Sequence, residues 1–197
     1  MILAIDTCLA ACSVALRDGE RCWARSEALG VGHAERVAPM VAALLDEAGA
    51  KASDLTRVCC TVGPGSFMGA RVGISLAKGL ALPRGLPTVP ITTTEAIALG
   101  APRPVTVLID ARRGQAYAQG FGEAGTDLAL LPCEDAAALA GEGPVLGVGL
   151  EAVTGHPAPD AFPDAGAMAA WAVTAAPARL RPLYLRAPDA KPGRAPL

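Results

Sequence analysis

Residues 63–73 read Gly-Pro-Gly-Ser-Phe-Met-Gly-Ala-Arg-Val-Gly and sit between an apolar strand-like run and an apolar helix-like one. No other stretch restricts the fold as much, because it joins a strand to a helix through backbone conformation. Residues 58–62 predict a short buried strand, Gly63 and Gly65 allow a turn that β-branched residues could not make, and Ser66 is a helix N-cap type. Such a turn serves one of two ends. The free N–H groups at a helix start favour a nucleotide phosphate, whereas a tight connection uses glycine so that backbone can pack on backbone. Glycine alone does not separate the two, although the Gly-Lys-Ser/Thr ending of a Walker loop is absent.

Around this turn the chain alternates strand-like and helix-like pieces. Residues 2–7, 12–17 and 21–27 carry strand patterns, and Asp18 with Gly19 forms a two-residue hairpin signal. Residues 33–48 place apolar side chains at 37, 40, 41, 44, 45 and 48, the spacing of one helix face, with Gly49 as the stop. A second helix over 68–82 is halted by Pro83, and a strand over 86–91 with a short helix over 92–99 completes a βββαβαβα order. After a Pro-rich break at 101–104, strands are expected over 105–110, 115–121, 128–131 and 145–148, and helices over 134–139 and 165–175. This divides the chain into a first lobe, 1–100, a smaller second lobe, 101–187, and a Pro/Gly-rich tail, 188–197.

With 4% aromatic residues, the core has to be built from small aliphatic side chains. A net charge of −2 without a Lys/Arg block argues against a surface that grips nucleic acid unaided, as does the scarcity of aromatics for stacking. The 6 cysteines follow no zinc spacing and are expected to be reduced cytoplasmic thiols. Residues 1–16 are apolar enough to imitate a targeting segment, but they lack a basic start and contain Asp6. They are read as paired strands, with no membrane association expected.

Both strong helix patterns are apolar over more than one face. In the first, Val37, Ala38, Met40, Val41, Leu44 and Leu45 outnumber the charged residues Glu35, Arg36, Asp46 and Glu47. In the second, Arg71, Ser75 and Lys78 line one face, while Gly69, Gly73 and Ala77 make a small-residue ridge that would let another helix approach. One sheet is not expected to bury all of this, which leaves a helix pair buried deep in the chain or faces shared with a partner. The partner reading takes in His33, Arg36, Val37, Met40, Val41, Leu44, Gly69, Val72, Gly73, Leu76 and Ala77. It predicts that Gly73→Leu blocks association and leaves the chain folded.

Five stretches together carry a resemblance: Leu-Ala-Ile-Asp-Thr at 3–7, His33 to Arg36 with Pro39 and Met40, Val62 to Phe67, Asp-Ala-Arg-Arg-Gly at 110–114, and Pro-Leu-Tyr-Leu-Arg at 182–186. In order and spacing the chain resembles the TsaB (YeaZ) family over nearly its whole length, departing at Met68, where Thr is common, and at Gln115, where Glu is common. The resemblance implies an actin/sugar-kinase/Hsp70-like (ASKHA) α/β fold of two lobes, the second reduced. It also implies a cytoplasmic subunit of the bacterial machine that installs threonylcarbamoyl on the adenosine beside the anticodon of tRNA. The implied partners are a homologous catalytic subunit, TsaD, and a small ATPase, TsaE, with TsaC making the adenylate donor and tRNA reached only through the complex.

Catalysis is not expected on this chain. The resemblance puts Thr93 and Ile97 where the catalytic paralogue has a His-x-x-x-His metal pair, and isoleucine is no ligand. The two histidines, His33 and His156, lie too far apart for a local motif, so no metal site is expected. In the implied fold Asp6 and Thr7 face the phosphates, with Gly63, Gly65 and Ser66 beside them, and residues 148–151 are the nearest candidate for a second phosphate loop. Asp6 is then either a vestigial nucleotide contact or a hairpin hydrogen-bonding residue. No cofactor is required, and ATP or ADP at a subunit boundary stays open. Ser66 lacks the spacing of a hydrolase elbow. The leading expectation is a non-catalytic scaffold that binds a TsaD-like paralogue through its two apolar helices and forms a homodimer through them when alone. The alternative is a small ATP-binding or ATP-hydrolysing enzyme using Asp6 and the 63–66 turn.

Overall fold

The computed structural model describes residues 1–141 and 143–186, so the expected tail at 188–197 lies outside the described residues. The opening strands β1 (Ile2–Asp6), β2 (Ala11–Asp18) and β3 (Arg21–Ala28) form an antiparallel meander. Asp18 pairs with Arg21, so the hairpin loop is Gly19 and Glu20, one residue later than expected. Gly19 takes the positive φ, 58°, that this turn needs at its first position. Helix α1 (His33–Glu47) leads to β4 (Arg57–Thr61), parallel to β1, and α2 (Phe67–Ala81) leads to β5 (Thr88–Ile91), parallel to β4. Ser66 caps α2 as expected, its Oγ accepting from the Gly69 N–H at 3.1 Å. A capping box between Thr92 and Glu95 starts α3 (Thr93–Ala98).

The second sheet repeats the scheme on a smaller scale. β6 (Val105–Asp110), β7 (Gln115–Phe121) and β8 (Ala129–Pro132) form a meander, α4 (Cys133–Ala138) follows, and β9 (Val145–Val148) pairs parallel to β6. The sheet orders are β3-β2-β1-β4-β5 and β8-β7-β6-β9. This doubled arrangement is that of an ASKHA-type α/β fold with a reduced second half. The segment considered as a second phosphate loop, 148–151, instead leads into a short helix, α5 (Leu150–Thr154), with Gly149 at its N-cap. Among the described residues, no helix is long and apolar enough to cross a membrane.

Alternation along β1 sends Leu3 and Ile5 to one face of the first sheet and Ala4 to the other. Leu3, Ile5, Val14 and Leu16 pack with Val37, Met40, Val41 and Leu44 of α1 and Ile74 and Ala77 of α2. The sheet therefore buries the inner faces of both helices, Val37, Met40, Val41 and Leu44 all being 4% exposed or less, while Phe67 and Met68 of α2 stay outside its reach. On the opposite face, Ala4, Ala15, Cys59 and Val89 pack against α6 (Ala165–Trp171), a helix that ends short of the expected 175. The chain thus returns to the first sheet. Ser13 donates to the Pro163 carbonyl at 3.2 Å, Arg57 to those of Ala172 and Ala175, Thr88 to that of Ala178, and the Leu183 N–H to that of Val62. Residues 163–183 therefore pack with the first sheet, which departs from the expected division at 100/101.

Candidate functional site

The glycine turn is occupied by the chain itself. Gly65 has a φ of 155° and lies so close to the Cys8 carbonyl that a β-carbon would overlap it, and the Ser66 N–H donates to that same carbonyl at 2.7 Å. The Gly69 N–H is likewise taken, by Ser66 Oγ, and the Ala70 N–H on the Ser66 carbonyl opens the regular helix ladder. Here the turn packs backbone on backbone against the β1–β2 hairpin.

Thr7 and Asp6 sit directly beneath this turn, both fully buried. The Thr7 hydroxyl donates to the Gly69 carbonyl at 2.7 Å. Asp6 Oδ1 accepts from the Thr61 hydroxyl at 2.6 Å and from the Cys8 N–H at 3.1 Å. Its Oδ2 is buried without a hydrogen-bond partner among the described residues, and so is the Thr93 hydroxyl. Burial pushes the Asp6 carboxyl up to about 6. The neighbouring Cys8 thiol is pushed up to about 12, again chiefly by burial. This centre thus holds a buried carboxyl group with one oxygen unbonded among the described residues, a defect that calls for an explanation such as a strain reservoir or a bound group.

The expected helix ridge faces inward. A β-carbon on Gly73 would lie 2.5 Å from Thr7 Oγ1 and 3.3 Å from Cys60 Sγ; one on Gly69 would overlap the Thr7 carbonyl, and Ala77 is fully buried. These three residues let α2 approach its own sheet, so they cannot be the surface offered to another helix. Met40, Val41 and Leu44 are likewise core residues. His33 is buried, its Nε2 3.3 Å from the Ala11 carbonyl, and the Arg36 fork grips Glu27 of β3 at 2.6 and 2.9 Å.

What remains open to a partner is a groove of about 370 Å³ between the two helices. Val37 lies in it with Ala34 and Ala38 on the α1 side, and Met68, Arg71, Val72, Ser75 and Leu76 line the α2 side. Of the residues expected at an interface, the structure brings Val37, Val72 and Leu76 to this groove. It adds Met68, 63% exposed, beside Phe67, 52% exposed. The sequence signal for Met68 was present: it stands where the resembling family commonly has Thr, so a polar side chain is replaced by an exposed apolar one. Among the described residues, no group of three or more His, Cys, Asp or Glu side chains could hold a metal ion.

Comparison with known proteins agrees with this architecture. A family model described as TsaD, tRNA N6-adenosine threonylcarbamoyltransferase, matches residues 27–143. The tRNA threonylcarbamoyladenosine biosynthesis protein TsaB of Escherichia coli is 41% identical over 121 residues, which cover 59% of this chain and 52% of that protein. The match thus spans about half the length of that relative. Among solved structures, YeaZ from Pseudomonas aeruginosa superposes with a TM-score of 0.79 at 31% identity, covering 93% of this chain and 99% of that one. A second crystal structure, of an uncharacterized protein with similarity to peptidase YEAZ from Pseudomonas aeruginosa, gives a TM-score of 0.80 at 30% identity, covering 94% and 99%.

Proposed function

As the chain belongs to the TsaB (YeaZ) family, we propose that it is a non-catalytic scaffold subunit in tRNA threonylcarbamoyladenosine synthesis that docks a TsaD-like catalytic paralogue in the groove between α1 and α2. The observation that carries this reading is the groove itself. The chain's own sheet takes the inner faces of both helices, and yet Met68 and Phe67 stand exposed at the start of α2 beside a cleft floored by Val37. A homologous subunit presents the equivalent helix pair, so one patch serves a heterodimer, or a homodimer when the partner is absent. A TsaE-like ATPase completes the proposed assembly, and tRNA is engaged by the complex. The test is threonylcarbamoyl transfer to tRNA in a reconstituted mixture, omitting each component in turn. Activity that needs this chain together with the TsaD-like protein supports the scaffold, and transfer by this chain alone overturns it.

A second reading, a nucleotide-binding enzyme of the same superfold, is favoured by one observation, the unpartnered Asp6 Oδ2 and Thr93 hydroxyl. Against it stands the glycine turn, which packs on the Cys8 carbonyl and has its Ser66 and Gly69 N–H groups bonded within the chain. Calorimetry of the isolated protein with Mg-ATP separates the two: tight binding that Asp6→Ala abolishes would make the chain an enzyme candidate.

A further inference from the structure

Two motifs have no part in the groove: Asp-Ala-Arg-Arg-Gly at 110–114 and Tyr-Leu-Arg at 184–186. The fold brings them together. Arg186 Nη2 donates to Gln115 Oε1 at 2.8 Å and lies 3.4 Å from the Arg112 carbonyl, across 74 residues of chain. Two residues earlier, the Tyr184 hydroxyl accepts from Arg71 Nε at 2.9 Å. Arg71 lies 3.6 Å above the Phe67 ring, and the Phe67 and Tyr184 rings are 5.3 Å apart. A strip linked by these contacts and by the two-residue step from Tyr184 to Arg186 therefore leads from Arg71, at the rim of the α1–α2 groove, to the turn that carries Arg112.

The turn at its far end carries two arginines in an uncommon backbone conformation. Arg112 and Arg113 both have positive φ, 64° and 58°, a conformation usually left to Gly or Asn. The turn is held there by the Arg112 N–H on Asp110 Oδ1 at 2.8 Å and the Gln115 N–H on the Arg112 carbonyl at 3.2 Å. An acidic chain of net charge −2 thus sets two arginines where glycine would fit better. The Arg112 side chain is 86% exposed, with Asp110 as a carboxylate neighbour at 3.5 Å.

We infer that this strip is an RNA-backbone contact, and that it carries the tRNA from this subunit onto the partner seated in the groove; the inference rests on the function proposed above. Guanidinium groups interleaved with half-exposed aromatic rings, Phe67 at 52% and Tyr184 at 47%, suit phosphates and unstacked bases. Because Arg71 lines both the groove and the strip, RNA lying along the strip reaches the docked subunit directly.

The test uses the full chain in complex with a TsaD-like partner and an unmodified tRNA transcript, comparing wild type with R112N. Asn tolerates the left-handed turn, so the backbone is kept while the charge is removed. The expected result is about fivefold weaker tRNA binding and a log–log salt slope reduced by about 1, with sedimentation of the protein complex unchanged. Unchanged affinity and slope in an intact variant complex overturn the strip alone. Loss of the protein complex in the variant makes the strip a protein-docking surface and overturns the RNA assignment. Failure of the wild-type complex to form or to bind tRNA overturns both the strip and the functional reading beneath it.

Discussion

Gly73 of α2 lies against Thr7, close enough that a β-carbon would sit 2.5 Å from the threonine hydroxyl, itself bonded to the Gly69 carbonyl at 2.7 Å. One side chain thus fixes how near the helix comes to the sheet. It also reverses the expectation that Gly73→Leu would leave the chain folded.

The two ridge glycines differ in what an added methyl group would meet. At Gly73 the obstacle is a side-chain hydroxyl that can turn away at the loss of its one buried hydrogen bond, about 2 kcal/mol, partly offset by the better helix propensity of Ala, about 1 kcal/mol. At Gly69 it is the Thr7 backbone carbonyl, which cannot move without the hairpin. Gly73→Ala should therefore cost about 1 kcal/mol and Gly69→Ala about 2–3 kcal/mol. Urea unfolding ranks them; equal costs would mean that the Thr7 backbone yields as easily as its side chain.

Groove variants should separate association from folding. Met68→Asp and Ser75→Glu put charge on exposed positions, with an expected change in stability within about 0.5 kcal/mol. Each should weaken association with a TsaD-like partner at least about tenfold, since a charge desolvated in an apolar groove is costly. Sedimentation velocity gives the answer, and undiminished association would place the partner elsewhere.

Asp6 makes stability fall as pH rises. Burial lifts its carboxyl from 3.8 to about 6, so the folded state holds a proton that the unfolded chain releases earlier. The contribution is complete below about pH 4, is lost as pH climbs through about 6, and is level above, a swing of roughly 3 kcal/mol. Asp6→Asn retains the Oδ1 acceptor and removes the titration. Its urea midpoints between pH 4 and 8 should be flatter than those of wild type; parallel curves would assign the pH dependence to another group.

Arg57 ties the returning chain to β4 through the Ala172 and Ala175 carbonyls at 2.7 and 2.8 Å. Arg57→Met should cost about 2 kcal/mol, as expected for charge-assisted bonds. Amide exchange should quicken over residues 165–178 before it does in the sheet. Uniform exchange throughout would mean that α6 and the first sheet open together.

Thiol labelling should follow burial. Cys22 is exposed and Cys133 intermediate, whereas Cys8, Cys12, Cys59 and Cys60 are buried with their thiols raised by desolvation. A maleimide should take Cys22 first and Cys133 more slowly, reaching the other four on unfolding. Fast labelling that persists in Cys22→Ser would show that a buried strand opens.

Much of the fold was legible because it rests on local periodicity. The βββαβαβα order, the Ser66 cap and the strands at 105–110, 115–121 and 145–148 all follow from alternation, helical spacing and capping chemistry. The helix at 150–154 was missed because it is short and flanked by Gly149 and Gly155, which read as loop. The return of α6 was missed for a different reason: an apolar helix face does not say which sheet it will cover.

By itself the sequence determined the order of most elements, since each depends on residues near one another in the chain, while the family fold came from the resemblance carried by five separate motifs. Tertiary structure decided which way the faces point. A run of Gly69, Gly73 and Ala77 marks a side of α2 able to approach something closely, and only the placement of Thr7, 62 residues upstream of Gly69, makes that something the chain's own sheet. The same holds for Arg112 and Arg186, whose contact spans 74 residues. Helical and strand periods are set by backbone geometry, whereas these meetings are set by packing among distant segments, which no local pattern encodes.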